Sequence, residues 1–384
     1  MTQERTQRVL VLGGGIGGQV AATRLKQKLG RAANVTLIER SPTFTFAPSL
    51  LWLMVGKRRV GSITRDYSAL MKRGIEVRQA SVTGIDTAAN RVTTETGDVG
   101  YDYLVVALGA RLDPQAIPGL AEHTFHPYDL DSAERLRDAL GQFNGGRLVV
   151  AIASLPYKCP AAPYEAAMLV DGYLRRRGVR SETQIDLYTP EPLPLPVAGS
   201  YAGYSVAAEL AARNIAFHPR TQLDAVEEGA LRFGAEKVAA DLAVVIPPHR
   251  PPEVVAASSI AGPNGWIPVD RATLRARDSN VYAIGDNTVI PLENGMMLPK
   301  AGVFAHGEAE VVAENIARRV RGDLREEAFD GHGTCFLETG GGKAGMASGD
   351  FFASPLPQVA MRRPSRAWHA GKVAFEQYWL RRWL

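Results

Sequence analysis

The chain has 384 residues and two cysteines, Cys159 and Cys335. Thiols so far apart do not make a structural disulfide framework. Two readings remain, a pair of inert buried thiols or a redox couple assembled by the fold. Neither sign of charge is in large excess: the formal net charge of +4 suits an anionic surface or ligand and is too small to imply nucleic acid. Zinc-finger spacing, an aromatic-and-basic RNA motif and a long basic run are all missing. His123, His126, His249 and His306 show no metal-ligand spacing, so no metal is expected. No apolar run reaches the roughly 18 residues a membrane span needs. The first ten residues are polar and charged, with no apolar signal core. Membrane contact, if present, is expected to be peripheral.

What is there reads as a globular protein, 46% hydrophobic and 22% charged, and long enough for two or three packed domains. An apolar strand over 8–12 runs straight into Gly13-Gly14-Gly15-Ile16-Gly17-Gly18. A helical pattern follows, then a strand over 34–38 ending in Glu39. Gly13, Gly15 and Gly18 match G-x-G-x-x-G, whose glycines permit a tight turn, close approach of a pyrophosphate and packing of helix on strand. The pyrophosphate sits on the helix N-terminus, and Glu39 is placed to hold ribose hydroxyls. In this order the elements make a strong dinucleotide fingerprint.

A β-meander is expected over 76–78, 82–86, 91–94 and 101–110, its last strand ending on Gly109, where backbone can approach a ligand. The architecture then restarts. A strand over 147–153 leads into a helix opening at Cys159-Pro160, and a second strand follows at 184–188. A second glycine-rich turn would stand between them. Ala153-Ser154-Leu155-Pro156-Tyr157-Lys158-Cys159-Pro160 has no glycine. Later come a helix over 205–213, short strands at 231–233 and 242–246, the segment Pro247-Pro248, a strand ending Ala283-Ile284-Gly285-Asp286, and a helix opening at Lys300-Ala301-Gly302.

Assembled, these landmarks resemble the flavin-dependent oxidoreductases with two dinucleotide folds, over nearly the whole chain. The fold class expected is α/β: two Rossmann-like domains, residues 1–112 with 270–320 for FAD and 113–269 lacking a glycine-rich NADH loop, plus a small C-terminal domain at 321–384. The resemblance implies FAD held by Gly13, Gly15, Gly18, Glu39, Gly109, Gly285, Asp286, Lys300 and Gly302. Within that superfamily the chain is most similar to the sulfide:quinone oxidoreductase and flavocytochrome c sulfide dehydrogenase flavoprotein family. The residues carrying this are Cys159-Pro160 with Pro163-Tyr164-Glu165, Pro247-Pro248, Pro299-Lys300 with Gly302, Cys335, and the ending 372–378.

The resemblance implies that Cys159 and Cys335 meet beside the flavin as a disulfide or sulfur-bridged pair. Hydrosulfide attacks one sulfur to give a persulfide, and the released thiolate passes an electron pair to FAD and thence to a quinone. A helix start at Cys159 favours its thiolate. Glu165 is a proton acceptor or donor near the pair, or a solvated helix acid. Lys300 and Gly302 support the reduced flavin through a helix N-terminus, or Lys300 is a surface lysine.

Three departures from the family pattern are visible. A third cysteine near Pro127 or Tyr128 is missing, Ser41 stands where a covalent flavin linkage would need cysteine, and there is no haem-attachment motif. FAD is therefore expected to be noncovalent. Trp368, Phe375, Trp379 and Trp383, flanked by Lys372, Arg381 and Arg382, read as an interfacial helix on a membrane surface, or as domain core or a dimer contact. The expected localisation is peripheral on the cell (inner) membrane, with a homo-oligomer left open. Phe351-Phe352 reads as core packing before a quinone slot. The competing functions are a type II NADH:quinone oxidoreductase, which would need the missing glycine turn, and a non-catalytic flavin or thiol redox sensor.

Overall fold

The computed structural model describes residues 5–278 and 280–384. Its first sheet has five parallel strands in the order Val281–Ala283, Tyr103–Val106, Gln7–Leu12, Ala33–Glu39, Glu76–Gln79. Val9 to Leu12 are all buried, as a parallel strand covered on both faces requires. Helices Ile16–Leu29 and Gly302–Val320 lie together on this sheet, so the chain returns after its second sheet to finish its first.

The second sheet is also parallel, with order Ile215–His218, Thr183–Tyr188, Gly146–Ile152, Leu242–Ile246. Its central strand is again buried throughout from Leu148 to Ile152. The helix expected over 205–213 begins earlier, spanning Ser200–Ala211.

The expected meander is corrected in part. Strands Val82–Asp86, Arg91–Thr94 and Gly97–Gly100 do form an antiparallel sheet. Glu76–Gln79 and Tyr103–Val106 instead join the first parallel sheet, and the latter stops short of Gly109. Short strands flanking a meander have the same local pattern as meander strands, and only their long-range pairing separates them.

The tail forms an antiparallel sheet of His332–Gly340, Lys343–Asp350 and Gln358–Ser365, followed by helix Arg366–Arg382. Ser365 caps that helix by accepting from the Trp368 N–H at 3.2 Å. The interfacial-stripe expectation is overturned for Trp379 and Trp383. They are 1% and 2% exposed within the core of the first sheet. Trp379 packs on Phe44 and Phe46 at ring distances of 5.0 and 5.3 Å, and Trp383 lies against Arg24 and His306. Phe375, one turn before Trp379 and also against Phe46, and Tyr378 remain exposed, and Trp368 is half-buried. Phe351 and Phe352 pack edge-on against Phe304 and Phe329, as core. Among the described residues no helix is long and apolar enough to cross a membrane.

Candidate active site

The glycine turn is dictated by contacts at two of its positions. Gly13 has φ +97°, and a Cβ there would meet the Ala107 carbonyl oxygen at 2.4 Å. At Gly18 a Cβ would lie 1.8 Å from the Gly13 carbonyl oxygen, so no side chain fits. Gly15 differs, since its Cβ position opens onto empty space. It caps helix Ile16–Leu29 without a side-chain hydrogen bond, and the first turn holds no acid. The N–H groups of that turn are thus left for an anion.

Beside the turn, Glu39 Oε2 accepts from Gly14 N at 2.6 Å and Oε1 accepts from Ser41 N at 2.9 Å. A carboxylate has roughly four lone-pair directions, so two remain for hydroxyls. The Tyr67 hydroxyl donates to the Gly14 carbonyl at 3.2 Å, and burial beside Glu39 holds its phenol well above the usual range.

Facing this turn is the second set of expected positions. Gly109 (φ +69°) donates its N–H to Asn287 Oδ1 at 3.1 Å, and Gly285 (φ +73°) donates to Glu308 Oε2 at 2.6 Å. The Lys300 ammonium donates to the carbonyls of Asp286 and Thr288 at 2.7 and 2.8 Å and lies 3.7 Å over the Trp266 ring. Burial brings its pKa down to about 8 against the pull of Asp286 and Glu308. The surface-lysine reading is excluded, and its ammonium fixes the turn that carries Asp286. Helix Gly302–Val320 begins beside it, again uncapped by a side chain and without acid in its first turn.

One cavity of about 920 Å³ joins these parts. Gly15, Glu39, Gly109, Asp286, Lys300 and Gly302 line it, and so do Cys159, Cys335, Glu165 and Lys372. The open Gly15 position, two uncapped helix starts and an acid beside the first turn fit FAD, with its pyrophosphate at the glycine turn. Its wall includes Ser41 and no cysteine besides Cys159 and Cys335.

Cys159 is placed differently from expectation. The helix begins at Ala162, with Pro163 rather than Pro160 in its first turn, so Cys159 lies before the helix in a left-handed conformation at φ +51°. Its N–H donates to the Lys300 carbonyl at 2.6 Å, and its own carbonyl accepts from Ala162 N at 2.9 Å and from the Tyr128 hydroxyl at 3.3 Å. These bonds hold a conformation that a cysteine adopts only under constraint. A thiolate favoured by the helix start is not what results. Burial, then Glu165 and Cys335, push the Cys159 thiol up to about 12, with Lys372 opposing. The atoms crowding its sulfur, and then Glu165, likewise push Cys335 up to about 11, although the residue itself is exposed. Cys335, in the middle of strand His332–Gly340, shows its surface to the cavity, and neither sulfur is bonded to the other.

Glu165 is not solvated. It is 2% exposed, and its Oε1 accepts from Lys372 Nζ at 2.6 Å and from the Glu338 N–H at 2.7 Å. Desolvation works against the Lys372 ammonium, but Glu165 and Glu338 hold its pKa above the usual lysine value. Behind the cysteine loop, Glu191 accepts from the hydroxyls of Tyr157 and Tyr164 at 2.9 and 2.5 Å, and Tyr157 is within 3.2 Å of the Pro160 carbonyl.

The model of the family described as pyridine nucleotide-disulphide oxidoreductase matches residues 7–308. The chain belongs to that family. Among pyridine nucleotide-disulphide oxidoreductase relatives, it is 28% identical over 378 residues to the mitochondrial sulfide:quinone oxidoreductase of Mus musculus, covering 92% of this chain and 80% of the relative. It is 29% identical over 395 residues to the sulfide-quinone reductase of Aquifex aeolicus, covering 97% and 90%. The solved structure of the sulfide:quinone oxidoreductase from Aquifex aeolicus superposes with a TM-score of 0.90 at 27% identity, covering 98% of this chain and 91% of that one. Membership implies a flavin cofactor, which the cavity accommodates.

Sequence reasoning missed Lys372 as part of this site, reading it as a basic flank of a surface helix. It also passed over Glu338, Glu191 and Tyr128. The signal available for Lys372 was its place in the 372–378 ending, three residues from an apolar stripe and on the same helical face as Glu376. A buried lysine with a distant acid has no local sequence mark, because its partner lies in another element.

Proposed function

We propose that the chain oxidises hydrosulfide at Cys159 and Cys335 and passes the electrons, through noncovalently bound FAD, to a quinone. The observation that carries this is the convergence of both cysteines of the chain on the wall of the cavity that fits FAD. Names of relatives similar over nearly the full length support the same substrates. FAD, when bound, supplies a two-electron acceptor that can be reoxidised by quinone.

The chain's own residues do the following. In the oxidised state Cys159 and Cys335 share a disulfide. Hydrosulfide attacks one sulfur, forming a new S–S bond as a persulfide and breaking the old one, which leaves the partner as a thiolate. The buried Lys372 ammonium favours that thiolate, opposing the penalty that burial imposes on both cysteines. Glu165, hydrogen-bonded to Lys372, is the acid–base group at the pair. The αL conformation of Cys159, pinned by Lys300, Ala162 and Tyr128, fixes where its sulfur stands. A second hydrosulfide takes the outer sulfur away as polysulfide and leaves that cysteine as a thiolate, and the two thiolates would re-form the disulfide as their two electrons pass to bound FAD.

Phe44, Phe46 and Phe375 line the same cavity and suit an apolar quinone ring. Phe375 and Tyr378, exposed beside Arg381 and Arg382, are the face of the tail helix we assign to a membrane surface. NADH is disfavoured as donor, since residues 153–161 have no glycine and the buried Tyr157 fills the space under the loop. Anaerobic titration tests the reading: sulfide bleaches the flavin, quinone restores it, and NADH does neither. Bleaching by NADH and not by sulfide would refute it.

A further inference from the structure

Glu338 is a buried acid that the sulfide chemistry above does not use. It lies three residues beyond Cys335 on strand His332–Gly340 and is 0% exposed. Its Oε1 accepts from His369 Nδ1 at 2.8 Å, while Oε2 has no hydrogen-bond partner among the described residues. A buried carboxylate oxygen without a partner is an acceptor left open, so Oε2 can take a hydrogen from a neighbouring donor. On one side, the backbone N–H of Glu338 donates to Glu165 Oε1, the atom that binds Lys372. The Lys372 ammonium feels both carboxylates. On the other side, His369 keeps 25% of its side chain exposed and sits edge-on to Trp52 at 5.9 Å. Lys372 thus bonds Glu165 and feels the charge of Glu338, and Glu338 bonds His369 at the surface, so the four side chains lead outward across two elements of the tail and the cysteine helix.

We propose that Glu338 and His369 are the outlet by which the proton released in sulfide oxidation leaves the thiol pair, with Glu165 and Lys372 as its inner end. This rests on the function proposed above. Taking hydrosulfide to the sulfane level releases two electrons and one proton. The electrons go to FAD and quinone, and a proton taken up by Glu165, itself 2% exposed, needs a route out of the fold. Glu165 receives it, Lys372 gives a proton to Glu338 and is refilled from Glu165, and His369 delivers it to water. The charged groups around this outlet are Lys57 and Arg58 from the segment after helix Leu50–Leu53, Arg176 from the end of the cysteine helix, and Lys372 on the helix of His369 itself; Lys57 feels Glu338, Arg176, Arg58 and Lys372.

Glu338 and His369 act through Glu165 and Lys372, so they are positioning and relay residues rather than contacts of the sulfur. The test is stopped-flow reduction of bound flavin by sulfide, across about pH 6–9, in wild type, His369→Gln and Glu338→Gln. His369→Gln keeps a donor to Glu338 but cannot carry a proton. It is expected to slow flavin reduction on the order of 100-fold, with added imidazole restoring the rate and flavin content unchanged. After reduction of the protein, alkylation of Cys335 by iodoacetamide should keep its wild-type rate, showing that the thiol site is intact. A His369→Gln profile that superimposes on wild type overturns the outlet, as does a slowed rate that imidazole leaves untouched. Should sulfide fail to reduce the wild-type flavin, the function proposed above falls first and the outlet with it.

Discussion

Strands Gln7–Leu12 and Gly146–Ile152 hold the same station, each within a parallel sheet and each followed by a helix. They differ in what lies between strand and helix. After the first, Gly13 to Gly18 turn so tightly that a Cβ at Gly18 would overlap a carbonyl oxygen, and the helix start is left bare for an anion. After the second, a longer loop without glycine fills the space with Tyr157 and sets Cys159 before the helix in a left-handed conformation. The same scaffold thus leaves room for a ligand at one end and mounts a thiol at the other. Small residues leave room for a ligand's backbone contacts, and larger ones occupy that room and bring chemistry of their own.

The comparison breaks most completely at Gly18. Gly18→Val forces backbone apart at 1.8 Å, so the purified variant should hold no flavin, read from the ratio of visible flavin to protein absorbance. A flavin-replete Gly18→Val would show that the turn is not the binding element. At the other loop, Cys159→Ser and Cys335→Ser should each retain flavin while sulfide-driven bleaching falls to background. Full activity in both single variants would remove the thiol couple from the reaction.

A third change probes what ties the cysteine loop to the tail. Lys372→Met leaves Glu165 buried with its charge unmatched, and should destabilise the fold by about 3–5 kcal/mol, measured by denaturant midpoint. Adding Glu165→Gln should recover part of that loss, and no recovery would mean that the lysine acts through packing on Trp52, 5.2 Å away. Trp379→Ala should cost about 3–5 kcal/mol by the same measurement if the tail helix is core; a change in vesicle flotation without loss of stability would return Trp379 to the surface reading.

The smallest effect lies under the first turn's partner. Burial, with Asp286 adding to it and the Gly285 N–H opposing, raises Glu308 to about 7 from a usual 4.5. The folded chain therefore keeps a proton that the unfolded chain releases. This contribution to stability is full below about 4.5 and is lost as pH climbs through about 7. Glu308→Gln should flatten that decline in melting temperature over the same window.

Much of the first half of the site could be read from residues in order. A strand, three glycines at fixed spacing, a helix and an acid at the next strand end form a local pattern, because the turn's requirements are met by neighbours in sequence. The absence of glycine between 153 and 160 was equally plain. The tail was not. Trp379 and Trp383 recur with helical spacing whether they face lipid or protein, and the flanking arginines read the same in either setting. Phe44 and Phe46, far away in the chain, settle their burial.

By itself, then, the sequence determined the strand, glycine turn and helix that open the chain, the glycine-free second loop and the pair of cysteines that could meet, since each is encoded by neighbouring residues or by residue identity. Tertiary structure decided that Cys159 stands ahead of its helix, that burial outweighs any helix-start advantage for its thiolate, and that Lys372 reaches Glu165 instead of solvent. Burial and pairing depend on elements brought together from opposite ends of the chain, and no local pattern of residue types carries that information.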